Sequence, residues 1–249
     1  VTKAYFDMGE KILHGEQNVA NMASLGCQVT FIGIVGNDEA GKKLSTLLRK
    51  AKAHAHLLRL EDYPTIVKTR LIAGSNHLLR ADQEEQLPVI EALLPKFEKI
   101  LTQAIKNVDV VVLSDYNKGL LTPITTQMII NICHKFNKPV IVDPKGSDYS
   151  KYIGATIVKP NFKEFSETTG KKYNPQDKGF LAAVKNNAQE LFEKFKIKNL
   201  LVTLSEHGMV FVPSDKDEDC LQIPTEAKEV FDVSGAGDTS LATLGAALG

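Results

Sequence analysis

Short apolar runs alternate along most of this chain with segments whose apolar positions recur at helical spacing. VTFIGIVG (Val29–Gly36) is a β-rich run, and EAGKKLSTLLRKA after it carries Leu44, Leu47, Leu48 and Ala51 on one helical stripe. Between His54 and Asp82 the pieces HAHLLRL, IVKTRLIAG and HLLRAD alternate with polar residues, which predicts antiparallel strands with one solvated face. A long helix is expected over Leu87–Lys106. Strand and helix then alternate: VDVVVLSD, a helix over Pro123–Phe136, KPVIVDP, ATIVKPN, helices over Phe162–Thr169 and Asp177–Phe195, NLLVTLS, GMVFVP and a final helix. Continuous Val/Ile/Leu strands separated by amphipathic helices imply a mainly parallel sheet covered on both faces. The expected architecture is therefore an α/β three-layer sandwich in a single domain spanning residues 1–249, with a small antiparallel β lid over about 54–82. The opening VTKAYFDMGE shows no clear strand.

Composition narrows the function classes. Thirty Lys and Arg balance thirty Asp and Glu, so no basic face is implied and neither nucleic acid nor an anionic membrane is an expected partner. Cys27, Cys133 and Cys220 are odd in number and widely spaced, which gives neither a disulfide framework nor zinc spacing and fits a reducing cytoplasm. No apolar stretch approaches the roughly 18–20 residues of a membrane span.

Candidate chemistry gathers where an open parallel sheet places its ligands, beyond the carboxyl ends of the strands. Asp115, Tyr116, Lys118 and Gly119 follow one strand; Asp143 and Lys145 follow another. Lys159, Asn161 and Glu164 follow a third, and Thr203, Ser205 and Glu206 a fourth. FDVSGAGDT (231–239) adds a glycine-rich turn at a helix start. Its amides and the helix dipole suit an anion. A helix cap would account for Ser234 or Asp238 singly, but not for the G-A-G spacing, which clears side chains from a surface that a ligand must approach. GNDEAGKK (36–43) misses a P-loop because Lys43 stands where a magnesium-binding hydroxyl is required. His54 and His56 read as surface residues.

DVSGAGDT resembles the C-terminal signature of the ribokinase-like (PfkB) carbohydrate kinases, and NVANMASLGCQVTFIGIVGNDEAG resembles their N-terminal one. Within that family LSDYNKGLLT, VDPKGSDYSKYIGATIVKPNFKE and HLLRAD are similar to the D-glycero-D-manno-heptose 7-phosphate kinases, the kinase halves of bifunctional heptose kinase/adenylyltransferases of lipopolysaccharide core synthesis. The resemblance implies a ribokinase-like fold with Asp238 as catalytic base and Gly235, Ala236 and Gly237 as anion hole. ATP and Mg2+ are the implied cofactors. Asn161, Phe162, Lys163 and Glu164 would lie at the ATP phosphates, with Asn161 and Glu164 reaching magnesium through water. Thr203, Ser205, Glu206 and Gly208 would run along the nucleotide. Asn18, Arg70, Arg80, Asp115, Lys118, Asp143 and Lys145 would meet the sugar phosphate or the transferred phosphoryl group. The implied partner is a small-molecule sugar phosphate, and the resemblance admits a homodimer.

Two other readings stay open at this level. A kinase of the same fold could act on ribose, fructose or a fructose phosphate, and a nucleotide- or sugar-binding regulator could keep the fold without the chemistry.

Overall fold

Helix-crossover connections organise much of the chain. The computed structural model describes residues 2–7, 9–11, 14–73, 76–83, 85, 93–226 and 235–249. The chain folds as two compact units, one of residues 1–104, 118–120 and 238–249, the other of residues 105–117 and 121–237.

In the first unit, β3 (Thr30–Gly36), α2 (Glu39–Lys50) and β4 (His54–Leu60) form a βαβ turn whose strands pair in parallel, Thr30 opposite His54 through Gly36 opposite Leu60. Leu44 and Leu48 of α2 lie one helical turn apart and are buried with Val35 and with Val19 of α1 (His14–Ser24). The expectation that HAHLLRL is antiparallel is therefore corrected. Its alternation reports one exposed face and not strand direction. The helix between β3 and β4 returns the chain to the same end of the sheet, which makes the second strand parallel.

The antiparallel expectation holds further on, where β5 (Val67–Ala73) and β6 (Asn76–Gln83) pair antiparallel. They belong to a four-stranded sheet in the order β2-β1-β5-β6, with β1 (Thr2–Asp7) parallel to β5 and antiparallel to β2 (Gly9–Lys11).

The near-P-loop turn is a structural knot. Asp38 caps α2 by accepting from the Gly41 amide at 2.8 Å, and it also accepts from the Thr65 amide at 2.7 Å and the Thr65 hydroxyl at 2.6 Å. The Thr65 hydroxyl in turn accepts from the Gly36 amide at 2.9 Å. A Cβ on Gly36 would strike the Tyr63 carbonyl oxygen, so only glycine fits there. Burial opposes the charge on Asp38, yet hydrogen bonds from the Thr65 hydroxyl and the two amides hold its carboxyl below the ordinary range. The Lys43 position thus belongs to a capped helix and not to a phosphate loop.

The second unit holds a six-stranded sheet in the order β12-β11-β10-β9-β8-β7. The strands β7 (Val111–Ser114), β8 (Val140–Asp143), β9 (Ile157–Val158) and β10 (Asn199–Thr203) run parallel. Two antiparallel strands, β11 (Met209–Pro213) and β12 (Leu221–Ile223), complete it. Residues 204–208 are too few for a crossover, so β11 must turn back on β10. Here α4 (Pro123–Lys135), α5 (Phe162–Thr169) and α6 (Phe180–Phe195) match the expected helices to within a few residues. Val140, Val142, Leu200 and Val202 are fully buried, as continuous apolar strands between covered faces require. The helix expected over Leu87–Lys106 is described from Leu94 as α3 (Leu94–Lys106), residues 86–92 lying outside the described part. The last helix, α7 (Ala236–Leu248), starts at the glycine-rich turn.

Candidate functional site

Asp238 stands inside the first turn of α7, two residues past its first helical residue, so it is not the N-cap. It is only 8% exposed. Asn18 of α1, 7% exposed, donates from Nδ2 to Asp238 Oδ1 at 3.1 Å, and Asn21 donates to the Thr239 hydroxyl at 3.1 Å. These bonds fix the rotation of α7 against α1 and leave Oδ2 of Asp238 outside the Asn18 contact. The amide oxygen of Asn18 is buried with no donor among the described residues. A buried acceptor of that kind costs stability unless a ligand supplies its hydrogen bond.

Before α7, Gly235 has φ +86°, a conformation that disfavours any side chain, and Ala236 and Gly237 are exposed. Lys159 lies close by. A Cβ built on Gly237 would stand 3.9 Å from its Nζ. Lys159 is 2% exposed and pairs with Asp143 Oδ1 at 3.2 Å. The sequence places it at a strand end where ligands gather but assigns it no role. The signal was present in IVKPN: a lysine entering an apolar strand end is costly to bury unless a carboxylate accompanies it.

Four parallel strand ends meet in the second unit, as expected. Their backbones are stitched past the strands: the Asp115 amide donates to the Asp143 carbonyl at 3.0 Å, Lys159 to Val142 at 2.7 Å and Thr203 to Pro160 at 3.1 Å. Asp115, Asp143, Lys159 to Asn161 and Thr203 therefore share one edge of the sheet. Asp115 is the most heavily engaged of them. It accepts from the Asn117 amide at 2.7 Å and from the Tyr152 hydroxyl at 2.6 Å, and Lys151 Nζ lies 2.5 Å from Oδ2.

Asn161 and Glu164 form a capping box on α5. The Asn161 side chain accepts from the Glu164 amide at 2.9 Å, and Glu164 Oε2 accepts from the Asn161 amide at 3.0 Å. The spacing N-x-x-E is a capping signature in its own right. The Phe162 ring packs against Tyr173 and Phe180 at 6.4 and 6.3 Å between centroids, and Lys163 is exposed beside Glu167. Thr203 ends β10, and Ser205 and Glu206 lie in the short helix Ser205–His207. Gly208 has φ +83°, and a Cβ there would strike the Ile223 carbonyl oxygen.

Lys145 is exposed, on a turn whose amide donates to the Tyr152 hydroxyl at 3.2 Å. Lys118 lies in the 118–120 segment of the first unit. Arg70 and Arg80 are direct backbone partners across β5 and β6, and their side chains fall outside the described residues.

Among the described residues no three His, Cys, Asp or Glu side chains gather as a metal cage, and no helix is long and apolar enough to cross a membrane. All three cysteines are free thiols, and burial pushes Cys133 up to about 12, which removes it from nucleophilic chemistry. An open depression in the first unit is lined by Asp38, Glu61, Asp62, Asp82 and Glu85. Its carboxylates would repel a phosphate.

The description pfkB family carbohydrate kinase matches residues 15–248. The bifunctional protein HldE of Campylobacter fetus is 42% identical over 230 residues, covering 91% of this chain and 47% of the relative. The protein of the same name from Aliivibrio fischeri is 40% identical over 238 residues, covering 94% of this chain and 47% of its own. The chain thus spans about half the length of these curated relatives. Among solved structures, a phosphofructokinase-2 mutant from Escherichia coli superposes with TM-score 0.74 at 19% identity, covering 97% of this chain and 80% of that one. Ribokinase from Giardia lamblia gives 0.71 at 18%, covering 98% and 78%. These two show a ribokinase-like α/β fold. With the family description matching nearly the whole chain and relatives at about 40% identity, the protein belongs to the pfkB family of carbohydrate kinases.

Proposed function

We propose that the chain transfers the γ-phosphoryl group of ATP to the anomeric hydroxyl of D-glycero-D-manno-heptose 7-phosphate. The observation that carries the chemistry is the Gly235–Asp238 turn: a buried carboxylate held by Asn18, directly preceded by a glycine-bounded turn beside the Lys159 ammonium. A sugar hydroxyl is a weak nucleophile. Asp238 takes its proton through Oδ2 as the hydroxyl attacks in line, and Asn18 holds the other carboxylate oxygen so that the lone pair stays aimed. The Asn18 amide oxygen accepts from a second sugar hydroxyl, which answers its missing donor.

Charge on the transferring phosphoryl group meets the amides of the Gly235–Gly237 turn and the Lys159 ammonium, both in place before reaction. Lys159 also neutralises Asp143, which would otherwise repel the phosphates. Glu164 keeps Oε1 outside its capping box, and with Asn161 it offers hard oxygen ligands that suit a water-shelled magnesium ion. Magnesium, when bound, supplies further positive charge on the phosphate oxygens. Thr203, Ser205, Glu206 and Gly208 line the nucleotide, with Phe162 and Lys163 at its phosphate end.

The substrate reading rests on the heptose-kinase-like strand ends and on the cations. Arg70, Arg80, Lys118 and Lys145 are more positive groups than one transferred phosphoryl needs. Arginine grips a phosphate bidentately and lysine acts as a point charge. The β5–β6 hairpin serves as the lid that excludes water from the transfer. The reading carries with it a cytoplasmic location and admits a homodimer.

The test is kcat/KM for heptose 7-phosphate, free heptose, ribose and fructose 6-phosphate. Heptose 7-phosphate is expected to exceed free heptose by about 10–10²-fold, because the unphosphorylated sugar forgoes the charge-assisted hydrogen bonds that its phosphate makes. Equal use of ribose or fructose 6-phosphate overturns the substrate and leaves the kinase chemistry standing.

A further inference from the structure

Asp115 sits at the end of β7, where a substrate contact is the natural expectation, yet the protein itself supplies three partners to its buried carboxylate. It is 6% exposed. One oxygen takes the Asn117 amide, and the other takes the Tyr152 hydroxyl and lies against Lys151. Lys151 also donates to the Leu121 carbonyl at 3.3 Å, and its ammonium rides over the Tyr152 ring at 5.3 Å. Tyr152 is fully buried, and burial together with the adjoining Asp115 drives its phenol well above the ordinary range, so it stays a donor. Its hydroxyl oxygen has one more bond to make, and it makes it by accepting from the Lys145 amide.

The consequence is geometric. The loop from β8 to Tyr152 turns through Gly146 at φ +84°, and Tyr149 and Tyr152 are its buried anchors. Between those anchors and the strand end, the Tyr152 hydroxyl is what ties the exposed Lys145 turn down to a fixed carboxylate. We propose that Asp115, Tyr152 and Lys151 form a buried positioning unit for the Lys145 turn, so that Asp115 acts on the sugar phosphate through Lys145 and does not touch it. The proposal rests on the reading that Lys145 meets the sugar phosphate.

Tyr152→Phe removes one hydroxyl and leaves the ring packing in place. Expected are a KM for heptose 7-phosphate raised about 3–10-fold, the worth of one misplaced hydrogen-bonded group, with kcat and the KM for ATP within about twofold of wild type. The Lys145 amide, having lost its acceptor, should exchange with deuterium faster in the free variant. An unchanged sugar-phosphate KM, or an unchanged Lys145 exchange rate, overturns the proposal. So does a uniform fall in kcat and in both affinities, which marks a general structural lesion. If wild type prefers an unphosphorylated sugar, the phosphate reading of Lys145 fails by itself. Faster exchange at Lys145 then still upholds the positioning unit, and unchanged exchange overturns it.

Discussion

Asp238→Asn is expected to lower turnover by about 10²–10⁴-fold while ATP affinity stays close to wild type. Asparagine keeps the shape of the side chain, and its carbonyl oxygen can still accept from Asn18 Nδ2, the bond that ties α7 to α1. The fold contact therefore survives. What disappears is the carboxylate oxygen able to take the hydroxyl proton, and an amide has no replacement for it. Steady-state kinetics with parallel measurement of nucleotide binding separates the two effects. A variant retaining more than about a tenth of wild-type turnover would show that Asp238 is not the base and serves only the first turn of α7.

Lys159→Gln is expected to cut kcat by about 10²–10³-fold, the scale for loss of one preorganised charge-stabilising donor. The side chain is 3% exposed and keeps two neighbours, Asp143 and the turn at Gly237. Glutamine can still donate to Asp143 but brings no positive charge, so a partly buried carboxylate, 24% exposed, loses its counter-charge. Stability should fall as well, by about 1–3 kcal/mol. Activity and stability are separated by adding Asp143→Asn. The double variant removes both charges and should regain stability without regaining turnover. Full turnover in a folded Lys159→Gln protein would reduce Lys159 to the counter-ion of Asp143.

How far the sequence disclosed this depends on which physical signal each feature leaves. The second unit was legible because its central strands β8, β9 and β10 are largely buried and read as unbroken Val/Ile/Leu runs, with polar residues following their carboxyl ends. The Gly235–Asp238 turn was legible because positive φ and close approach both demand glycine. The direction of β4 was misread, since alternation encodes exposure while direction is set by the connection through α2. β1 went unseen because Thr2–Asp7 carries only the short apolar run Ala4–Phe6, and its longer pairing is with β5, about sixty residues away in the chain. Asp115 was placed at the right edge, but sequence shows a strand-end carboxylate and not the tyrosine and lysine, 37 and 36 residues later, that engage it. Lys159 stood at the right strand end but without a role, because the Asp143 that pairs with it lies on the neighbouring strand, and the Asn161–Glu164 spacing that follows it is used by the fold as a capping box.

The central claim is that a sugar hydroxyl, activated at Asp238, receives the phosphoryl group of ATP. It is tested most directly by identifying the product of wild-type protein incubated with MgATP and heptose 7-phosphate, using phosphorus NMR. The expected result is a new phosphomonoester coupled to the anomeric proton, formed in step with ADP and missing with Asp238→Asn. ADP accompanied only by inorganic phosphate, a phosphate on another carbon, or undiminished product from the variant would contradict the account.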